Sequence, residues 1–190
     1  MILPDHPVPA GIERFYFEIE IKSDLGRDSE LANAIGFATQ PAHLDGFPGW
    51  FNPVAPSWGY HGDDGQFCAN GNERNSLSNN PYGKGATIGC GVIYQNGVDG
   101  KIFYAKDGES LGVAFERGVL GRLYPVVGMA ERAKLQANFG EDVEGRPFRW
   151  KPGNTRCFDL ETVMAKDGGE GDGKTVVPTR IEFGPAVKAA

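Results

Sequence analysis

The side chains that could carry nucleophilic or metal chemistry are few and scattered along the chain of 190 residues. Those of histidine and cysteine are His6, His43, His61, Cys68, Cys90 and Cys157. No histidine has a serine, cysteine or carboxylate at the spacing of a catalytic triad. The cysteines form no C-x-x-C pair and have no histidine at ligand spacing, which argues against structural zinc. We therefore expect no enzymatic activity, no catalytic residue, no metal and no cofactor.

The adjacent acids Asp63 and Asp64, which stand between glycines, are the residues best suited to bind calcium or to act as acid and base. Neighbouring residues on an extended chain point to opposite faces, and Asp-rich turns between strands are common. We expect both carboxylates to hold backbone amides of a loop. Calcium binding is the less favoured alternative.

Recognition by aromatic side chains is the other chemistry that the sequence offers. Trp58 lies on a predicted strand, where a large aromatic is usually part of the core. Trp50 and Phe51 lie in a proline-rich connection over residues 40–56. They either line a binding surface or plug one end of the fold, and the sequence leaves both readings open.

The elements that must position these residues are short strands, because 28 glycines and 13 prolines disfavour long helices. Residues 15–22 alternate apolar and polar side chains, which predicts a strand with one buried face. Asp107 and Gly108 predict a hairpin turn between strands at 101–105 and 110–115. Further strands are predicted at 34–39, 57–61, 66–69, 86–94, 123–128 and 134–139, with a surface loop over residues 70–82. Turn signals about every ten residues favour an all-β, antiparallel sandwich.

Composition limits the partners. A net charge of −6, from 19 basic and 25 acidic residues, argues against nucleic acid. No apolar run is long enough to span a membrane, and the first residues do not resemble a signal peptide, so we expect a cytoplasmic location, with the nucleus left open. We expect a domain over residues 1–164 and a flexible tail over 165–190. Residues 157–164 could form helical turns, and residues 176–183 either form a strand or stay disordered.

Several motifs, in order, resemble the SPRY domain. They include Ser57-Trp-Gly-Tyr-His-Gly-Asp-Asp-Gly65, Ile102-Phe-Tyr-Ala-Lys-Asp-Gly108 and Leu123-Tyr-Pro-Val-Val-Gly128. The likeness spans about residues 6–164 and is greatest to the subgroup of Ran-binding protein M and the fungal scaffold of the glucose-induced-degradation ubiquitin ligase. It implies a bent two-sheet β-sandwich of the concanavalin-like jelly-roll type. It also implies a non-enzymatic adaptor whose end loops bind a short peptide motif or a partner protein, as in a ubiquitin-ligase complex.

The resemblance also implies a set of contact residues on three loops. They are Leu44, Phe47, Trp50, Phe51, Tyr60, His61, Met129, Glu131 and Arg132, with Trp50, Tyr60 and Arg132 foremost. Relative to the subgroup, residues 52–56 lengthen one recognition loop, and strands that precede the first predicted strand are expected to be missing. A calcium-dependent, lectin-like carbohydrate-binding sandwich is the alternative from another functional class, and a truncated, non-functional product is the third.

Overall fold

The computed structural model describes residues 6–23, 33–40, 46–71, 73–75, 79–95, 99–130, 133–142 and 144–151. The predicted helical turns at 157–164, the tail from 165 and the predicted strand at 176–183 lie outside these residues. The boundary at residue 164 therefore stays a prediction.

The described residues form two five-stranded antiparallel sheets. The strands are β1 (Arg14–Ile21), β2 (Asn33–Ala38), β3 (Ser57–His61), β4 (Phe67–Ala69), β5 (Glu73–Asn75), β6 (Thr87–Gln95), β7 (Asp99–Lys106), β8 (Glu109–Val119), β9 (Tyr124–Met129) and β10 (Leu135–Asn138). The first sheet has the order β10-β1-β6-β7-β8 and the second the order β5-β4-β3-β2-β9. This architecture confirms the predicted all-β sandwich. A helix that could cross a membrane is absent from the described part of the chain.

The hydrophobic core lies between the inner faces of the two sheets. Phe17 of β1 and Phe37 of β2 are fully buried and meet edge to face, with ring centroids 5.8 Å apart. Trp58 is 3 % exposed, which confirms its predicted place in the core. Because strand residues alternate between faces, Tyr60 of β3 points into the same core as Trp58.

The β7–β8 hairpin reverses as predicted. Asp107 has φ 52° and Gly108 has φ 88°, the left-handed angles that a two-residue reversal of this kind requires. The pairing continues further than predicted, to Val119, because register irregularities in β8 let it follow β7 to Gly100.

β1 differs from its prediction, because both of its faces are buried. Tyr16 and Glu18, on the face expected to meet solvent, are 7 % and 4 % exposed. Residues 144–151, which we call the strap, cover this face, and the Trp150 ring centroid lies 4.8 Å from that of Tyr16. Periodicity in β1 could not reveal a cover supplied from more than 120 residues along the chain.

Two glycines of β6 make room for the aromatic rings that pack on this face of the sheet. A Cβ at Gly89 would overlap the Tyr16 hydroxyl, and a Cβ at Gly91 would overlap the Phe103 ring. A neighbouring side chain therefore lies close to the backbone at both glycines.

Residues 70–82 are not loop throughout, because β5 lies within them and pairs with β4. The three residues of β5 are polar and show no apolar alternation. Their strand conformation comes from pairing with the edge of the sheet, a tertiary contact that local sequence does not encode.

Candidate partner-binding surface

The loop over residues 46–51 lies across the outer face of the second sheet. Two strand glycines let it approach closely, because a Cβ at Gly59 would overlap the Pro48 carbonyl and one at Gly128 would overlap the Phe47 ring. Trp58 and Tyr60 point inward, so the outward residues of β3 lie beneath this loop. Small residues on the outer face thus create the seat for the loop.

Hydrogen bonds fix the loop to that seat. The Gly49 amide donates to Ser57 Oγ at 2.8 Å, and the Gly71 amide donates to the Gly49 carbonyl at 2.7 Å. His61 donates from Nε2 to the Pro48 carbonyl at 2.8 Å. His61 is only 4 % exposed, so this bond satisfies a ring nitrogen that would otherwise be buried without a partner.

Beyond this seat the loop and the residues that follow it expose three large apolar side chains, which we call the aromatic patch. Trp50, Phe51 and Val54 are 48 %, 68 % and 57 % exposed. Trp50 is braced by Phe47, whose ring it meets edge to face at 5.2 Å. Asn52 Oδ1 accepts the Val54 amide at 3.0 Å, which orders the chain between Phe51 and Val54. The exposure of Trp50 and Phe51 favours a binding surface over an internal plug.

The acidic turn, residues 62–65, borders the loop. The Gln66 amide donates to Asp64 Oδ1 at 2.9 Å, so Asp64 holds a backbone amide as expected. Asp63 is exposed, and it forms no ion pair with any residue that the structure describes. Ligand atoms of His61, Asp63 and Asp64 lie within 4.8 Å of one another, a grouping that suits a cation.

Tyrosines behind the turn hold it from inside the protein. Tyr60 is fully buried, and its hydroxyl donates to the Asn80 carbonyl. The Tyr82 hydroxyl lies 2.9 Å from the Tyr60 carbonyl oxygen, and burial raises the pKa of Tyr82 well above its ordinary value. Burial also raises the pKa of the Cys90 thiol, which disfavours the nucleophilic thiolate there.

The burial of Tyr60 and His61 corrects their expected role as direct contacts, because neither side chain is accessible. Tyr60 stands two residues after Trp58, so the period of a strand already placed it on the core face. His61 lies on the opposite face, beneath Pro48. Both residues support the surface rather than form it.

Of the other predicted contact residues, two are half-buried in the structure and three lie outside the described residues. Phe47 is half-buried under Trp50, and Met129, half-buried, ends β9 opposite Asn33. Leu44, Glu131 and Arg132 lie outside the described residues, so their contact role stays a prediction.

Sequence reasoning missed the residues that seat the loop, which are Ser57, Gly59 and Gly128. The alternation of Ser57, Gly59 and His61 with Trp58 and Tyr60 was a usable signal. Residues as small as Ser57 and Gly59, on the face opposite two aromatics, indicate that another segment packs closely against the strand.

Comparison with known families finds a match to the SPRY domain over residues 14–142. The structure resembles the SPRY domain of human HERC1 with a TM-score of 0.55 and 20 % identity, covering 71 % of this chain and 79 % of that one. At this identity the structural match supports the fold alone.

Relatives with similar sequences include Ran-binding protein 9 of Xenopus laevis, which is 40 % identical over 157 residues. That alignment covers 77 % of this chain and 26 % of the relative. Human Ran-binding protein 9 is 38 % identical over 165 residues, covering 84 % of this chain and 19 % of the relative. The Arabidopsis thaliana Ran-binding protein M homolog is 28 % identical over 142 residues, with coverages of 74 % and 28 %. These matches confirm the predicted resemblance, and the chain spans about a quarter of these relatives' length.

Proposed function

The chain belongs to the SPRY domain family, and from this membership we propose that it binds a short peptide segment or a partner protein through the aromatic patch and its neighbouring loops. The observation that carries the proposal is a patch that is exposed and yet braced from below. Trp50 and Phe51 offer large apolar area outside the core, while Pro48 is fixed to β3.

Such a patch suits recognition for an energetic reason. Aromatic side chains dominate the binding energy of many interfaces, because they bury a large area with few rotatable bonds. Bracing by Phe47 reduces the conformational entropy that Trp50 would lose on binding. Because the loop is already ordered in the free protein, less of the contact energy is offset by lost conformational entropy, and the affinity is higher.

We propose further contacts from Leu44, Met129, Glu131 and Arg132, which the resemblance to the family predicts. We propose that the module is not an enzyme and binds neither nucleic acid nor membrane. An adaptor role in a ubiquitin-ligase-type assembly, and a cytoplasmic or nuclear location, belong to the same proposal. The support for these roles is the family membership and the acidic composition.

The test compares Trp50→Ala with Leu120→Ala in the full chain. Leu120 is also exposed, at 51 %, but lies between β8 and β9, outside the surface. A partner captured by the wild type would be scanned as overlapping peptides, and affinities for the peptide that binds would be measured. We expect Trp50→Ala to weaken binding at least roughly tenfold, as for a central aromatic anchor, with little change in melting temperature. Equal affinities of both variants and the wild type would contradict the proposal.

A carbohydrate-binding function is the second candidate, and the grouping of His61, Asp63 and Asp64 is the observation that favours it. Such ligands could hold a cation that in turn holds sugar hydroxyls. Glycan arrays with and without chelator test this function. Chelator-sensitive binding of sugars would replace the peptide hypothesis.

A further inference from the structure

The stretch of chain that carries the aromatic patch and the acidic turn is exclusively acidic among its charged residues. Residues 28–73 contain no lysine or arginine. Their acidic residues are Asp28, Glu30, Asp45, Asp63, Asp64 and Glu73. These six charges equal the net charge of −6, so the other residues, with 19 basic and 19 acidic side chains, are neutral overall. The whole excess of negative charge is concentrated on this part of the chain.

Part of this charge lies close to the aromatic patch. His61 bridges the two features, because its ring centroid is 6.3 Å from that of Trp50 and its ligand atom is within 4.8 Å of the Asp63 and Asp64 carboxylates. Asp63 is exposed and lacks an ion pair with the described residues. The Trp50 indole and the Asp63 carboxylate therefore flank the same buried histidine, within reach of one peptide segment.

We propose that the partner is a peptide segment in which a lysine or arginine stands beside an apolar residue. This inference rests on the proposed function and adds the chemistry of the partner. The apolar side chain packs on Phe51 and Val54. The cation lies between the Trp50 indole and the Asp63 carboxylate.

Two attractions act on the same cation in this arrangement. An indole face is the best aromatic partner for a cation, and a carboxylate beside it adds an ion pair. An acidic segment would be repelled by the turn, since like charges across an interface are unfavourable. A wholly neutral segment would gain from the aromatic patch but nothing from Asp63.

The experiment selects peptides from a displayed random library on the full wild-type chain, in the presence of chelator. Selected peptides are then synthesised with each Lys or Arg replaced by glutamine. Affinities are measured for the wild type, Asp63→Asn and the control Glu116→Gln. Glu116 is an exposed acid on β8, in the other sheet, so its change removes the same charge away from the surface.

We expect the selected peptides to be enriched in Lys or Arg adjacent to Leu, Ile, Met or an aromatic residue. Replacing the basic residue should weaken binding about 3- to 10-fold, because an exposed ion pair and a cation–π contact are lost together. Asp63→Asn should weaken binding by about 2- to 5-fold and make it less sensitive to salt. Glu116→Gln should change neither.

Two failures have different meanings. Peptides that bind and lose affinity in Trp50→Ala, but carry no basic residue or ignore Asp63→Asn, would overturn the cationic motif and leave the proposed function standing. If the selection yields no peptide dependent on Trp50, both the motif and the peptide-binding function are overturned.

Discussion

Replacing Glu18 with glutamine should destabilise the domain while leaving partner binding intact. The Glu18 carboxylate is 4 % exposed and accepts three hydrogen bonds. The donors are the Tyr16 hydroxyl at 2.9 Å and the Arg149 and Trp150 amides at 3.0 and 2.9 Å. The two amides belong to the strap, so this carboxylate ties the end of the described chain to β1.

The magnitude follows from the charge and burial of the acceptor. Hydrogen bonds to a charged group contribute about 1.5–3 kcal/mol each, roughly twice as much as neutral ones. Glutamine removes the charge and turns an NH₂ group toward one of three donors. We expect a loss of about 2–4 kcal/mol, which lowers the melting temperature of a domain of this size by roughly 4–16 °C.

Glu20→Gln is a matched control on the same face of the same strand. Glu20 is partly exposed, and Lys22 Nζ lies 2.6 Å from its carboxylate, a hydrogen bond that lowers the pKa of Glu20. Surface pairs of this kind contribute about 0–1 kcal/mol, so this variant should unfold close to the wild type.

Chemical denaturation measures both variants, and hydrogen exchange of the Trp150 amide reports on the strap. If Glu18→Gln is as stable as the wild type, or if Glu20→Gln loses as much unfolding free energy as Glu18→Gln, then Glu18 does not hold the strap. Loss of peptide affinity in the folded Glu18→Gln protein would contradict the separation between the strap and the aromatic patch.

Two further predictions concern the seat of the loop and the half-buried Tyr94. Gly59→Val should displace Pro48 and lower the free energy of unfolding by about 1–3 kcal/mol through overpacking. Because Pro48 supports the aromatic patch, the folded variant should also bind the peptide more weakly. Unchanged Trp50 fluorescence and unchanged peptide affinity would contradict this reasoning. Partial burial raises the pKa of Tyr94 to about 12, whereas an unfolded tyrosine ionises near 10. The folded state therefore keeps this proton to a higher pH than the unfolded state does. The stability that this difference contributes is fully present below about pH 10 and is lost as the pH rises toward 12. Tyrosinate absorbance would follow the ionisation, and chemical denaturation at each pH would measure the free energy of unfolding. A flat stability between these pH values would refute that linkage.

Local sequence was sufficient for most of the strands. Alternation in β1 and the Asp107–Gly108 turn depend on side-chain period and backbone φ, which are local properties that neighbouring residues specify. The SPRY fold, by contrast, was predicted from the resemblance of motifs in the loops and strands to that family. β5 escaped prediction, because its conformation depends on pairing with β4 rather than on its own residues.

For the surface, sequence identified Trp50 and Phe51 as the aromatic candidates but could not decide whether they were exposed. That outcome depends on the close approach of Pro48 to Gly59 and Phe47 to Gly128, contacts between segments that are distant in sequence. Tertiary structure also placed His61 beneath the loop, whereas the strand period after Trp58 had already placed Tyr60 on the core face. Residue types and periods thus determined the strands and the chemistry available, whereas long-range packing decided which side chains a partner can reach.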